Sequence, residues 1–129
     1  MSHEGDFVVL GMKLRVLVVE DEALLALEMA HALENEGFEV LGPVRKVSSA
    51  LELLRQYGCN AAVLDINLGD ETSEAIALEL TALRIPFLAV SSYSLADRPP
   101  AFLNAPALAK PIAPEAIAAE ISKLVTASR

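Results

Sequence analysis

Hydrophobic positions alternate between two textures along the chain. Short, nearly continuous apolar runs occupy residues 14–19, 38–41, 61–64, 86–90 and 105–109, each four to six residues long, the first four carrying Val, Leu or Phe and the last mostly Ala. Runs of that length predict buried strands. Between them the apolar residues fall at helical spacing: Leu24, Leu27 and Leu33 within residues 22–36, Leu51 and Leu54 within 48–57, and Ile76 and Leu80 within 73–83. A last helix is predicted over 114–126, where Ile117, Ile121 and Leu124 share a face and Pro114 sits at the first helical position, at which its missing N–H costs nothing.

Regular alternation of strand and helix reads as repeated βα units. Right-handed crossovers then build a doubly wound parallel sheet with helices on both faces. The run Val16-Leu17-Val18-Val19 has no polar position to face water, which fits a strand covered on both sides. The segment 94–103 breaks the pattern, because Pro99-Pro100 lies in its middle. A proline inside a helix removes a donor and clashes with the preceding turn, at a cost of about 3 kcal/mol. A short, kinked or absent fourth helix is the expectation there.

Composition narrows the function classes. The chain has 129 residues, enough for one core and little room for a second. Its 18 acidic and 10 basic residues give a net charge of −8, and the basic residues are scattered, so a phosphate-tracking nucleic-acid surface is not expected. A hydrophobic content of 53% argues against disorder. No apolar run approaches the roughly 18 residues of a bilayer span, and residues 1–6 lack the basic start of a signal peptide. The single cysteine, Cys59, forms no internal disulfide or CxxC site, so a cytoplasmic protein is the expectation. Residues 1–12 are read as a tail or extension, open to being a tag remnant or an extra strand, and 13–127 as the domain.

Ligands of doubly wound sheets bind at the carboxyl ends of the strands. The first run ends in Glu20-Asp21-Glu22, the third in Asp65, the fourth in Ser91-Ser92 and the fifth in Lys110-Pro111. If these strands are neighbours, Glu20, Asp21 and Asp65 form a negative cluster that calls for a hard cation, magnesium being the natural choice. A lysine and a serine hydroxyl added to carboxylates and a metal supply what a phosphoryl group needs: charge neutralisation on its oxygens and a carboxylate nucleophile.

This set, carried by Val16-Leu17-Val18-Val19-Glu20-Asp21-Glu22, Ala62-Val63-Leu64-Asp65-Ile66-Asn67-Leu68, Phe87-Leu88-Ala89-Val90-Ser91-Ser92 and Ala109-Lys110-Pro111-Ile112, resembles the receiver domain of two-component response regulators over residues 14–125. The resemblance implies a flavodoxin-like (βα)5 fold with strand order 2-1-3-4-5. It also implies a non-enzymatic role: phosphoryl transfer to Asp65 from a histidine kinase or histidine phosphotransfer protein, then conformational signalling to an output protein. Magnesium would be held by Asp21, Asp65 and the main-chain carbonyl of Asn67, with Glu20 acting through water. Lys110 would bind phosphoryl oxygens and Ser91 would move to hydrogen-bond another. The output surface so implied runs over the fourth-helix region, the fifth strand and the last helix.

Several positions depart from the common receiver pattern. Gly69 and Ser73 stand where proline and glycine are usual, and Ala107 replaces the aromatic switch of the fifth strand. Pro86-Phe87-Leu88-Ala89-Val90-Ser91-Ser92-Tyr93 is instead similar to a degenerate form of the motif of the alphaproteobacterial "FATGUY" single-domain receivers, which also favour the Asp65-to-Gly69 stretch. In that reading Tyr93 is the reporting aromatic. Rival readings are a phosphorylation-independent adaptor, a phosphate sink with the same chemistry, and a haloacid-dehalogenase-type phosphatase. The last would need an acid/base Asp where Asn67 stands.

Overall fold

Val16, Leu17, Val18 and Val19 are wholly shielded from solvent. Successive side chains of a strand point to opposite faces, so such a run folds only between two apolar layers. In the computed structural model, which describes residues 8–9 and 12–127, these residues lie in β3 (Arg15–Val19), which follows a short antiparallel pair, β1 (Val8–Val9) with β2 (Met12–Lys13). Most of the tail expected over 1–12, His3 included, lies outside the described residues.

The main sheet continues with β4 (Glu39–Val44), β5 (Ala61–Asp65), β6 (Phe87–Ser91) and β7 (Ala107–Ala109). Its order is β4-β3-β5-β6-β7, all neighbours parallel, which is 2-1-3-4-5 counted over these five strands. On one face, α1 (Ala23–Asn35) and α4 (Pro114–Ala127) pack Met29, Leu33, Ile117 and Ile121 against Val16, Val18, Val63 and Leu88. On the other, α2 (Val47–Tyr57) and α3 (Glu74–Ala82) press Ala50, Leu54, Ile76 and Leu80 onto Leu17, Val19, Ala62 and Leu64. Among the described residues no helix is long and apolar enough to cross a membrane.

No α-helix forms between β6 and β7. The double proline is accommodated by two 3-10 turns, Leu95–Asp97 and Pro100–Phe102, with Pro99 extended between them. Phe102 does the covering that a helix would do: it is fully buried and meets Phe87 edge-on, with ring centroids 6.2 Å apart at 85°. The Arg98 guanidinium donates to the carbonyls of Leu95 and Phe102 and so ties the two turns together.

The second strand of the sheet runs past Leu41, where the sequence pattern stops, to Val44. Leu17 pairs with Leu41 but Val19 with Val44, so β4 carries one extra residue, a bulge at Gly42-Pro43. Gly42 has φ +96°, and a Cβ there would lie 2.9 Å from the Val44 nitrogen and 3.0 Å from the Val18 carbonyl oxygen. The bulge matters for function, because the Val44 carbonyl accepts the N–H of Glu20 at 3.0 Å. Gly42→Ala combines left-handed strain with overpacking, so a loss on the order of 2–4 kcal/mol is expected. Urea unfolding checks this, and an unchanged midpoint would show that the bulge yields freely.

Candidate functional site

Three strands end in the same place. Glu20 and Asp21 leave β3, Asp65 ends β5, and Lys110 follows β7. The crossover rule puts all of them at one edge of the sheet, on the side where the helices begin. Carboxylate oxygens of Glu20, Asp21 and Asp65 lie within 4.8 Å of one another. The Lys110 Nζ reaches into the cluster, 3.0 Å from Asp65 Oδ2, 3.0 Å from Glu20 Oε2 and 3.7 Å from Glu22 Oε1. Glu20 is 1% exposed and Asp65 4%, so these charges interact through protein rather than through bulk water.

Local backbone fixes the acceptors. Asn67 N–H donates to Asp65 Oδ1 at 3.3 Å and Glu22 N–H to Glu20 Oε2 at 3.1 Å. The fully buried Ser73 hydroxyl donates to the main-chain carbonyl of Asp65 at 2.7 Å, holding the strand end from below. This is the purpose the unusual serine serves, and its sequence position alone did not show it. The turn between Asn67 and Thr72 is closed by Leu68 N–H to the Glu71 carbonyl, with Gly69 at φ +80° supplying the left-handed step.

Charge balance in the cluster is poor. Burial, together with the neighbouring Asp65 carboxyl, pushes Glu20 up to about 8, despite the opposing pull of Lys110. Asp65 is also raised by burial, with Glu20 and Lys110 working against that rise. Burial disfavours the charged form of Lys110, but its hydrogen bonds and Coulomb attraction to Glu20 and Asp65 outweigh this and raise its pKa. Glu20 Oε1 also lies 3.0 Å from Nζ but off the hydrogen-bonding direction, and it has no donor. A buried carboxylate oxygen without a hydrogen-bond donor, in a cluster where three acids face one lysine, is what a hydrated divalent cation would satisfy, so the residues fit magnesium.

The sequence-expected residues do not all share one cavity. A 380 Å³ cleft over Asp65 is lined by Asp21, Glu22, Asn67, Gly69, Ser92, Tyr93 and Lys110. Ser91 is buried, accepts the Tyr93 N–H at 3.0 Å, and lines an adjoining 400 Å³ cleft with Ile66, Asn67, Tyr93 and Arg98. Ser92 thus stands on the Asp65 side, and Ser91 behind it. Tyr93 borders both clefts with its side chain 69% exposed. The sequence places Glu22 and Ser92 at strand ends beside the expected residues, and both line the cleft over Asp65. Alternation along β6 is the signal that could have separated the two serines, but it depends on knowing which residue ends the strand. His31 is exposed on α1, outside the acidic cluster, and burial pushes the Cys59 thiol up to about 11, which keeps it protonated.

Comparisons with known proteins agree with this geometry. No family model matches the chain. The chain is 30% identical over 131 aligned residues to the phyllosphere-induced regulator PhyR of Methylorubrum extorquens, a match covering 95% of this chain and 48% of that protein. Among solved structures it resembles SdrG of Sphingomonas melonis Fr1, 34% identical with a TM-score of 0.74, covering 87% of this chain and 96% of that one. A CheY-like response regulator receiver domain of Methylobacillus flagellatus is 28% identical with a TM-score of 0.72, at 87% and 98% coverage. The chain spans about half the length of the curated relatives it matches.

Proposed function

The chain belongs to the CheY-like response regulator receiver domains, and from that premise we propose that it accepts a phosphoryl group on Asp65 from a histidine kinase or histidine phosphotransfer protein and signals to a protein partner by changing shape. The observation that carries this reading is the Asp65 carboxylate at the floor of an open cleft, with Lys110 Nζ 3.0 Å away and Glu20 and Asp21 beside it.

Asp65 is the nucleophile: one of its oxygens forms a bond to phosphorus as the nitrogen–phosphorus bond of the donor phosphohistidine breaks and the imidazole departs. Asp21, Asp65 and the main-chain carbonyl of Asn67, with Glu20 through water, would hold a magnesium ion, which would supply neutralisation of the phosphoryl charge. Lys110 is already pre-placed on Asp65 Oδ2 and turns its ammonium to a phosphoryl oxygen. The Asn67 N–H steadies the attacking carboxylate. A phosphoryl group brings up to about two negative charges into the cleft, which favours whichever arrangement of Lys110, Ser91 or Ser92, and Tyr93 best meets them.

The 3-10 segment 95–102, β7 and α4 form the output surface in this reading. The segment is joined to the cleft through Arg98 and Tyr93, which line the hollow beside Ser91.

Amide NMR of the full chain, with magnesium and then with beryllium fluoride as a phosphoryl mimic, tests the proposal. Expected are magnesium-dependent shifts at Asp21, Asp65, Ser91, Ser92 and Lys110, and further changes over residues 93–112 when beryllium fluoride is added. A spectrum indifferent to both would leave the phosphorylation-independent adaptor as the better reading.

A further inference from the structure

A second hollow lies away from Asp65. It has a volume of about 540 Å³ and sits where β6 and β7 begin, walled by Leu78, Ile85, Pro86, Pro100 and Leu124. Strand β6 separates it from the acidic cleft, a distance of roughly 15 Å at about 3.3 Å per residue. Residues 95–102 form two short turns instead of a helix, and the hollow lies between α3, the Pro100 turn and the start of β6, with Phe87 in its lining.

The chemistry of this hollow is amphiphilic. Its lining is mostly apolar, with Arg84 its one charged residue and Asn104 and Thr81 polar, the Thr81 hydroxyl already donating to the Ala77 carbonyl. No hydrogen bond or ion pair of the Arg84 guanidinium occurs among the described residues, and the acids of α3 are already engaged, Glu74 by Thr72 and Glu79 by Arg55. Arg84 is exposed, and its guanidinium stands at the mouth of the apolar hollow in a chain of net charge −8.

Its backbone sharpens the point. Arg84 has φ +59°, and its N–H bonds the Thr81 carbonyl while Ile85 N–H bonds that of Leu80, which together close α3 by a Schellman motif. Glycine is the residue that takes this position without strain. Arginine here is locally unfavourable, and it places an exposed guanidinium at the rim of the hollow.

We propose that this hollow is a binding site for a small amphiphilic carboxylic acid, its chain against Leu78, Ile85 and Leu124 and its carboxylate on Arg84 and Asn104. The volume falls within the roughly 300–1,000 Å³ of small-molecule sites, and an apolar lining with a few converging polar groups is their usual make-up. The proposal stands independently of phosphorylation at Asp65.

Titration of the full chain with sodium octanoate, followed by amide NMR, tests it. Expected are saturable shifts at Arg84, Ile85, Phe87, Ala101, Asn104 and Ala105, with little change at Asp21 or Lys110. Octan-1-ol and octylammonium should bind at least about tenfold more weakly, as should octanoate to Arg84→Gln, each lacking the charge-assisted pair. Arg84→Gly provides the control for folding: relief of the left-handed strain should raise the melting temperature by a few degrees while octanoate binding is lost. Absence of saturable shifts, or equal binding of octanol and octanoate, overturns the proposal, as does an unaltered affinity in Arg84→Gln. Tighter binding of a short peptide ending in a leucine carboxylate than of octanoate would also overturn it, assigning the hollow to a protein terminus.

Discussion

Asp65→Asn is expected to take up no phosphoryl group from acetyl phosphate or a donor kinase under conditions that label the natural chain, while remaining folded. An amide oxygen is not a nucleophile toward phosphorus at neutral pH, so the substitution removes the bond-forming group rather than weakening it. Glu20 does not replace it, because it is 1% exposed and out of reach of a phosphoryl donor, whatever its charge. Folding should survive because Asn keeps an acceptor for the Asn67 N–H or for Lys110, and because one of two mutually repelling buried acids is gone. Hydrogen bonding and Coulomb repulsion from Asp65 both help raise Glu20, so the variant should let Glu20 ionise more easily beside Lys110. The magnesium-free melting temperature of the variant should therefore equal or exceed that of the natural chain at pH 8, and its stabilisation by magnesium should be lost. Residual labelling of Asp65→Asn at a comparable rate would move the acceptor elsewhere. A fall of many degrees in melting temperature would mean that Asp65 serves the fold more than the chemistry.

The architecture was readable from sequence because its information is local and redundant. Val16 through Val19 can be buried only by layers on both sides, and the apolar spacing of Ile117 with Ile121 supplies part of them. Of the stripe read in the first helix, by contrast, only Leu33 is buried: Leu24 and Leu27 are 69% and 50% exposed, and Met29 covers the sheet in their place. The broken helix was readable for the same kind of reason: Pro99-Pro100 excludes helix whatever surrounds it. What escaped the sequence depends on register and on distant partners. Gly42-Pro43 reads as a strand terminator, yet the strand passes through it as a bulge, because the Val44 carbonyl is needed by Glu20 on the next strand. The meeting of Glu20, Asp21, Asp65 and Lys110 was legible, since strand ends in a parallel sheet share an edge. Which cleft each of Ser91 and Ser92 lines was not, because successive residues at a strand end face opposite sides. Ser73, eight residues beyond Asp65, looked like a mere departure, and only the fold shows its hydroxyl on the Asp65 carbonyl.

Magnesium affinity should rise steeply with pH up to about 8 and then level off. The metal-free cluster stores a proton on Glu20, which burial and Asp65 raise from the ordinary 4.5 to about 8. A cation entering three neighbouring acids needs them ionised, so binding expels that proton, and the apparent affinity climbs by up to about tenfold per pH unit while Glu20 is protonated. Stability without metal must run the opposite way. A carboxyl whose folded pKa lies above its unfolded value stabilises the fold fully below about 4.5, and that contribution is lost as pH rises through about 8. Asp65, also raised by burial, acts with the same sign, whereas Lys110, raised above its usual value, stays charged throughout this window. Metal-free melting temperatures should therefore fall between pH 5 and pH 8.5, and saturating magnesium should remove most of that fall. Glu20→Gln takes away the titrating group, so its magnesium affinity should be lower at pH 8.5 and much less dependent on pH, with a flatter stability profile. Calorimetric titrations at pH 6, 7, 8 and 9, repeated in buffers of different ionisation heat to count the proton released, decide the matter. Equal affinity at pH 6 and pH 9 with no proton release would mean that Glu20 is ionised before the cation arrives, and that Lys110 alone neutralises the buried pair.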